Sequence, residues 1–204
     1  MPGSETKTRR RPGRPRRPTT GDAITRAALD LLAERGFQAA TIEAIALRAG
    51  VGRNTIYRRW SSKEELIADA LRELTTDFDA WGAEYLYSLL LNWLRDFART
   101  FSDPLHGRLL AGVLGELHQN PVFADVYADR VVRPRREALL ARLTEARGRG
   151  ELRPDAAVEL VADLLGGALL LRSLPLGLPT APATYAEELL ETIWRGIAPQ
   201  PASS

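Results

Sequence analysis

The segment TIEAIALRAGVGRNTIYRRWSSKEEL, which runs from Thr41 to Leu66, decides the fold because it combines three helix starts with a tight glycine turn. Thr41 is a good N-cap, since its hydroxyl can accept a hydrogen bond from an amide of the first helical turn. Gly50 stands where that helix must end and the chain must reverse, and glycine adopts the positive φ that such a turn often needs. Apolar residues recur at helical spacing on both sides of the turn. This layout predicts a helix-turn-helix that binds DNA.

The second helix of this motif has one apolar and one polar side. Val51, Ile56 and Trp60 form the apolar side, which can pack on the preceding helix. The polar side carries three cations and no carboxylate: Arg53, Asn54, Thr55, Tyr57, Arg58 and Arg59. Asn pairs bidentately with adenine and Arg with guanine in the major groove, and each good pair gives roughly 1–3 kcal/mol of base discrimination. The polar side is therefore a candidate for contacts with base edges, except for Arg58, which we assign to solvent.

Helices are also predicted on both sides of this motif. Ser62 and Glu65 fit a capping box, in which the Ser62 hydroxyl accepts from the Glu65 amide and the Glu65 carboxylate accepts from the Ser62 amide. Upstream, the apolar residues of 24–32 keep helical spacing, with Thr20 as the N-cap and Gly36 in the C-terminal capping position. This first helix completes a three-helix unit.

Three motifs within residues 24–71 are specific in combination: ALDLLAERGF, T-x-x-x-I-A-x-x-A-G-V and N-T-I-Y-R-R-W-x-S-K-E-E-L. The run that carries them resembles the N-terminal domain of the tetracycline-repressor (TetR-type) family. The resemblance implies that Thr41 and Lys63 anchor phosphates and that Tyr57 contacts another phosphate. It places the base contacts on the recognition helix, at Arg53, Asn54, Thr55 and Arg59. Gly52 stands where many members have Ser or Thr, so one hydroxyl that could bind phosphate is missing. Taken alone, Thr41 is equally well explained as a plain helix cap.

Charge is distributed unevenly along the chain. Residues 1–63 contain 14 Lys and Arg against 5 Asp and Glu, a net charge of +9, whereas residues 64–204 contain 14 against 21, a net charge of −7. This split suits a chain that binds a polyanion with its N-terminal part only, with an affinity that falls as salt rises. Residues 1–18 hold seven of the basic residues and almost nothing to bury, so we expect a disordered basic arm. Its arginines could add phosphate or minor-groove contacts, or the arm could be a solvated tail.

The composition excludes several function classes. The chain has no cysteine, so disulfides and thiolate metal sites are unavailable. Its two histidines are thin evidence for metal binding, and no metal or cofactor is predicted. The sequence has no nucleophile elbow and no phosphate-binding glycine loop, which argues against an enzyme. Because it also lacks a signal peptide and any run of about 18 apolar residues, we expect a cytoplasmic protein without membrane contact.

The remainder of the chain is predicted to be helical throughout. Helices are expected near residues 64–80, 84–102, 105–118, 121–148, 155–174 and 184–197, between stretches rich in proline and glycine. With the three N-terminal helices, this gives an all-α fold of about nine helices. The predicted organisation is a disordered basic arm (1–18), a helix-turn-helix DNA-binding domain (19–66) and a ligand-binding and dimerisation domain (67–204). The resemblance implies that residues 67–204 bind a ligand and form the dimer.

An aromatic stripe in the body is the candidate ligand site. Its rings recur mostly at four-residue steps, and the segment YLYSLLLNWL is apolar almost all round. Such a stripe is more often core than cavity, but the resemblance implies a pocket for a small apolar or aromatic effector between these helices. The candidate ligand-binding residues are Trp81, Tyr85, Trp93, Phe97, Phe101, His106, Glu116 and His118. The last three could orient a ligand through polar contacts.

The last two helices are the candidate surface for a homodimer. The apolar positions that suggest it are Val158, Val161, Leu165, Ala168, Leu169, Leu189, Leu190, Ile193, Trp194 and Ile197, with Arg172 in the same register. Two copies would bury these faces in a four-helix interface, or the helices could only cover their own subunit. The resulting hypothesis is a sequence-specific transcriptional regulator, most simply a repressor that a small effector releases from a palindromic operator in double-stranded DNA. A ligand-independent architectural DNA-binding protein and an activator of the same family are the alternatives.

Overall fold

The computed structural model of the chain describes residues 19–74, 85–174 and 184–199, without the side chains of residues 101, 102, 104 and 173. Every regular element in these ranges is helical. The helices are α1 (Thr20–Ala39), α2 (Ile42–Ala49), α3 (Arg53–Tyr57), α4 (Lys63–Arg72), α5 (Leu86–Ser102), α6 (Pro104–Gln119), α7 (Pro121–Tyr127), α8 (Arg133–Gly148), α9 (Val158–Ser173) and α10 (Tyr185–Ile197). A π-helical turn, Ala128–Val132, joins α7 to α8, so residues 121–148 form one continuous rod. If α7, the π turn and α8 are counted as one helix, the described ranges contain nine helices. The predicted all-α fold is confirmed.

The glycine turn and the helix starts of the deciding segment are present. The Thr41 hydroxyl accepts from an amide in the first turn of α2 at 3.2 Å, and the Ser62 hydroxyl accepts from the Glu65 amide at 3.2 Å. Gly50 ends α2 in the left-handed region, with φ 68° and ψ 31°. The Glu65 carboxylate accepts from the Ser61 amide at 2.9 Å, and not from the Ser62 amide as predicted. The same carboxylate also holds a guanidinium from the body, which accounts for its displacement.

The structure corrects the predicted start of α1 and the predicted end of α4, and it has a helix break at Gly36. The N-cap of α1 is Thr19 instead of Thr20, because Thr19 and Asp22 cap each other reciprocally. Gly36, with φ 78°, breaks the regular part of α1 where a C-terminal cap was expected. α4 ends at Arg72 instead of near residue 80, since its last turn tightens to a three-residue hydrogen bond there. α4 is therefore short, and its C-terminus stays close to the N-terminal helices.

The described helices enclose two apolar cores. The first core lies among the four N-terminal helices (α1, α2, α3 and α4), α6, α7 and the π turn. The second core lies among α5, α8, α9 and α10. Because Val113 of α6 and Phe123 of α7 are fully buried in the first core, the N-terminal helices pack directly on the body. The predicted domain division falls inside α4, where Leu66 and Ile67 are both fully buried.

Candidate nucleic-acid interface

The outward face of α3 is the candidate surface for DNA. Ile56 is fully buried in the first core and fixes the orientation of this short helix. Arg53, Asn54 and Tyr57 are exposed, and Thr55 is half-buried beside them. Four of the predicted base and phosphate contacts therefore share one accessible surface of a helix-turn-helix.

Arg53 at the start of α3 pairs with Glu43 of α2. Its Nη1 lies 3.1 Å from Glu43 Oε1, and the two side chains are 63% and 60% exposed. A hydrogen bond from the backbone amide of Glu43 and a second one from Arg53 lower the pKa of the Glu43 carboxyl. An ion pair this exposed is weak, because solvent screens it. Arg53 can therefore exchange Glu43 for a base edge.

Thr41 and Tyr57 border this surface, at the start of α2 and at the end of α3. The Thr41 oxygen accepts the capping hydrogen bond, which leaves its hydroxyl proton as a possible donor to phosphate. The positive end of α2 favours an anion at the same place. The Tyr57 side chain is 51% exposed, so its hydroxyl can contact a phosphate without rearrangement of the core.

Arg59 lies beyond the end of α3, although the sequence analysis placed it on that helix. α3 ends at Tyr57, and the Arg59 amide bonds back to the carbonyl of Ile56 in a tight turn. The guanidinium packs over Gly21 at the start of α1, so closely that a methyl group on that glycine would collide with it. It also lies 5.7 Å from the ring of Trp60. Arg59 is exposed in this position, so its guanidinium can turn away from α1 toward DNA.

Lys63 is at the start of α4, as predicted, but its ammonium is engaged within the protein. Its Nζ donates to the backbone carbonyl of Phe37 at 3.2 Å and lies 4.2 Å from the centre of the Phe37 ring. The lysine thus ties α4 to the end of α1. The structure gives it a structural role beside its predicted phosphate contact.

The predicted ligand-binding residues do not converge on one site. Trp81 and the Phe101 side chain lie outside the described residues. Tyr85 is 62% exposed just before α5, and His118 is exposed on α6. Trp93 and Phe97 on α5 are half-buried neighbours with ring centres 6.4 Å apart.

Two of the predicted polar ligand contacts have partners inside the protein. His106 Nδ1 lies 2.6 Å from the backbone carbonyl of Thr100. Glu116, nearly buried on α6, accepts from Gln38 Nε2 at 2.8 Å and from Asn120 Nδ2 at 3.3 Å. Since Gln38 belongs to the last turn of α1, Glu116 links the body to the N-terminal helices.

A cavity of about 310 Å³ lies between α5, α8 and α9. Its accessible lining is mainly apolar, and Trp93, Val132, Leu139 and Ala162 contribute to it. Three charged residues also line it: Arg135, Arg136 and Asp163. Gly166 is part of the α9 wall, and a Cβ atom there would meet nothing within 4 Å. Of the predicted ligand-binding residues that the structure describes, Trp93 alone lines this cavity.

Sequence reasoning missed the α8 and α9 walls of this cavity. The arginines at the start of α8 have the pattern of a solvated surface, and α9 was considered only as a surface between subunits or as a cover for its own subunit. The sequence signal for this cavity was the pair of adjacent glycines, Gly166 and Gly167, in the apolar helix α9. Glycines leave room beside a helix for a ligand as readily as for another helix.

Comparisons with known proteins agree with this geometry. The model described as "Bacterial regulatory proteins, tetR family" matches residues 24–70, and "Tetracyclin repressor-like, C-terminal domain" matches residues 86–193. The uncharacterized HTH-type transcriptional regulator YdeS of Bacillus subtilis is 31% identical over 186 residues, which cover 91% of this chain and 93% of YdeS. The chain belongs to the tetR family. It is a helix-turn-helix transcriptional regulator, and its relatives are regulators rather than enzymes.

Solved structures of tetR-family regulators have the same fold. The TetR family transcription regulator SCO0332 superposes with a TM-score of 0.68 at 27% identity, over 88% of this chain and 99% of that one. FadR from Bacillus subtilis, solved in complex with stearoyl-CoA, superposes with a TM-score of 0.65 at 19% identity, over 84% of this chain and 96% of that one. At 19% identity, the second comparison concerns the fold alone.

The apolar surface left on α9 of this tetR-family chain differs from the predicted one. Val158, Val161, Leu165 and Leu169 are buried in the second core of their own subunit, as the alternative interpretation held. The opposite side of α9 exposes a leucine stripe, which we define as Leu160, Leu164 and Leu171, with 57%, 49% and 50% of each residue accessible. The prediction was wrong about the face because α9 is apolar on nearly all sides, so its periodicity does not distinguish core from surface.

None of the described helices combines the length and the apolar character that crossing a membrane requires.

Proposed function

We propose that the protein is a homodimeric repressor that binds a palindromic operator in the cytoplasm and is released from it by a small apolar or aromatic effector. The observation that carries this proposal is the exposed face of α3, held by a buried isoleucine behind a left-handed glycine turn.

The contacts with DNA divide into two groups by chemistry. Arg53, Asn54 and Thr55 would contact base edges, since amide and guanidinium groups match the hydrogen-bonding pattern of the major groove. Thr41 and Tyr57 would contact phosphates, together with Lys63 and the N-terminus of α4. Arg59 would join the base-contacting group of Arg53, Asn54 and Thr55 once its side chain turns away from α1. The net charge of +9 on residues 1–63 favours this end of the chain for the polyanion.

The leucine stripe of α9 is the proposed surface for the second copy of the chain. Three leucines with about half of their area exposed on one helix face are unusual for a monomer, and such patches mark interfaces. The same face on a two-fold related copy is self-complementary, as a closed dimer requires. A two-fold dimer would place two α3 helices on successive half-sites of a palindrome.

The cavity beside Trp93 is the proposed effector site. Its volume lies at the lower end of the range of small-molecule pockets, and its lining favours an apolar or aromatic ligand. FadR, which has the same fold, was solved with stearoyl-CoA, so this architecture can hold an apolar chain. An effector would weaken operator binding only to the extent that it binds the form of the dimer that releases DNA more tightly than the form that binds DNA.

Selection of bound fragments from genomic DNA tests the proposal. The protein should enrich fragments that share a near-palindromic site, and its affinity for that operator should exceed its affinity for a random duplex by about 10³-fold or more at physiological salt. Enrichment without a shared sequence would overturn the proposal and favour a ligand-independent architectural protein. Transcription from a promoter next to the site should fall when the protein is added, and a rise would identify an activator.

A further inference from the structure

We infer that Arg130, in the π turn between α7 and α8, is a positioning residue that links the body to the exit of the recognition helix. The inference rests on the proposed function, because it concerns how the body controls α3. It assigns a role to a residue that lies outside α3 and does not line the proposed effector site.

Arg130 grips two carboxylates on one side of α4. Its Nη2 lies 2.8 Å from Glu65 Oε1, and its Nη1 lies 3.2 Å from both oxygens of Asp69. The three side chains are only 37%, 24% and 21% exposed, so solvent screens these contacts less than those of a surface pair. Charge-assisted contacts of a guanidinium with two carboxylates also fix the geometry of all three groups.

Each of these carboxylates also holds the chain just after α3. Asp69 Oδ2 accepts from the indole Nε1 of Trp60 at 2.9 Å, and Glu65 Oε2 accepts from the backbone amide of Ser61 at 2.9 Å. Trp60 is almost fully buried, and its own amide bonds to the carbonyl of Ile56 in α3. One guanidinium is therefore two hydrogen bonds away from two consecutive residues that determine how α3 leaves the motif.

The π turn connects this contact with the proposed effector site. Val131 is buried in the first core, and the next residue, Val132, lines the cavity. Arg135 lines the same cavity and donates to the backbone carbonyl of Arg72 at the end of α4, at 2.7 Å. π turns hold one residue more per turn than an α-helix and occur often at functional sites. A shift of this turn by one residue would rotate Arg130 by roughly 100° and carry it off α4.

The charge pattern of the segment supplies a matched control. Arg133 lies three residues after Arg130 and pairs with Asp129 of the π turn, with no ion pair to α4 among the described contacts. Arg133→Gln removes the same charge from the same rod as Arg130→Gln. The two variants therefore differ in whether the contact with α4 is lost.

The test measures operator affinity and amide hydrogen exchange of the full-length protein. Arg130→Gln should weaken binding to the selected operator about tenfold, with little change for a random duplex, and Arg133→Gln should bind both as the wild type does. In the DNA-free protein, the Ser61 amide should exchange faster in Arg130→Gln while the core of α1 stays protected. The operator affinity of Arg130→Lys should fall between those of the wild type and Arg130→Gln, because one ammonium cannot contact both carboxylates with the geometry of a guanidinium.

Asp69→Asn keeps an acceptor for the Trp60 indole and removes the charge opposite Arg130. Combined with Arg130→Gln, it should add little further loss of operator affinity, since both changes remove the same contact. Wild-type affinity and exchange in Arg130→Gln, or an equal loss for both duplexes with exchange raised throughout the protein, would overturn the inference. If the wild type prefers no DNA sequence, the proposed function fails, but exchange at Ser61 still decides the link from Arg130.

Discussion

Replacement of Gly50 by Ala should destabilise the protein through backbone strain alone. A Cβ atom at this position would meet nothing within 4 Å, so no steric clash contributes. With φ at 68°, an alanine must adopt the left-handed region, which costs about 1–2 kcal/mol. The reduced entropy of the unfolded chain returns about 0.4–1 kcal/mol. We therefore expect the free energy of unfolding to fall by about 1 kcal/mol.

Gly112→Ala is the matched control for this prediction. Gly112 lies inside α6, has equally open surroundings and is absent from the positive-φ residues of the described chain. Alanine there should raise the free energy of unfolding by about 0.5–1 kcal/mol, because glycine is a poor helix former. Urea unfolding followed by circular dichroism measures both values. If Gly50→Ala proved as stable as Gly112→Ala, the turn between α2 and α3 would not depend on its left-handed residue, contrary to this prediction.

Three further changes test the interfaces. Leu164→Glu in the leucine stripe should give a monomer in size-exclusion chromatography with light scattering. Val122→Glu, at an apolar position on α7 that is even more exposed than Leu164, should leave the dimer intact; a dimer in both would place the interface elsewhere. Gly21→Ala should displace Arg59 from α1 and raise affinity for the selected operator more than for a random duplex, because the cost of moving a base-contacting side chain is removed; unchanged operator affinity would argue that Arg59 does not contact DNA. Lys63→Ala should weaken binding to all duplexes alike and also lower the melting temperature, since the last turn of α1 loses a hydrogen bond; a loss confined to one base sequence would contradict its phosphate role.

The local features of the N-terminal helices could be predicted from the sequence because they depend on near neighbours. The Thr41 cap, the Gly50 turn and the buried position of Ile56 follow from residue type and helical spacing, and the structure has all three. The register of a cap is less certain, since Thr19 and Thr20 are equivalent by type and only the reciprocal bond with Asp22 selects the first.

Contacts between distant segments could not be predicted in this way. Glu116 looked available for a ligand, but it is joined to Gln38 across 78 residues of sequence. Arg59 has the residue type of a base contact, and only the packing of α3 on α1 brings it over Gly21. Arg130 is one of several arginines in its segment, and the sequence does not distinguish it from the others. Only the packing on α4 brings Glu65 and Asp69 to its guanidinium. The missing information in each case is tertiary, since pattern and propensity describe only a residue's own element.

The most direct test of the central claim, that the exposed face of α3 contacts base edges, is a double-mutant cycle between Asn54 and the operator. Wild type and Asn54→Ala would be titrated against the selected operator and against operators with single base-pair changes in each half-site. Asn54→Ala should lose about 1–3 kcal/mol of discrimination at one base pair per half-site and keep the preferences at the others. An equal loss of affinity for every duplex, with all base preferences retained, would contradict this claim.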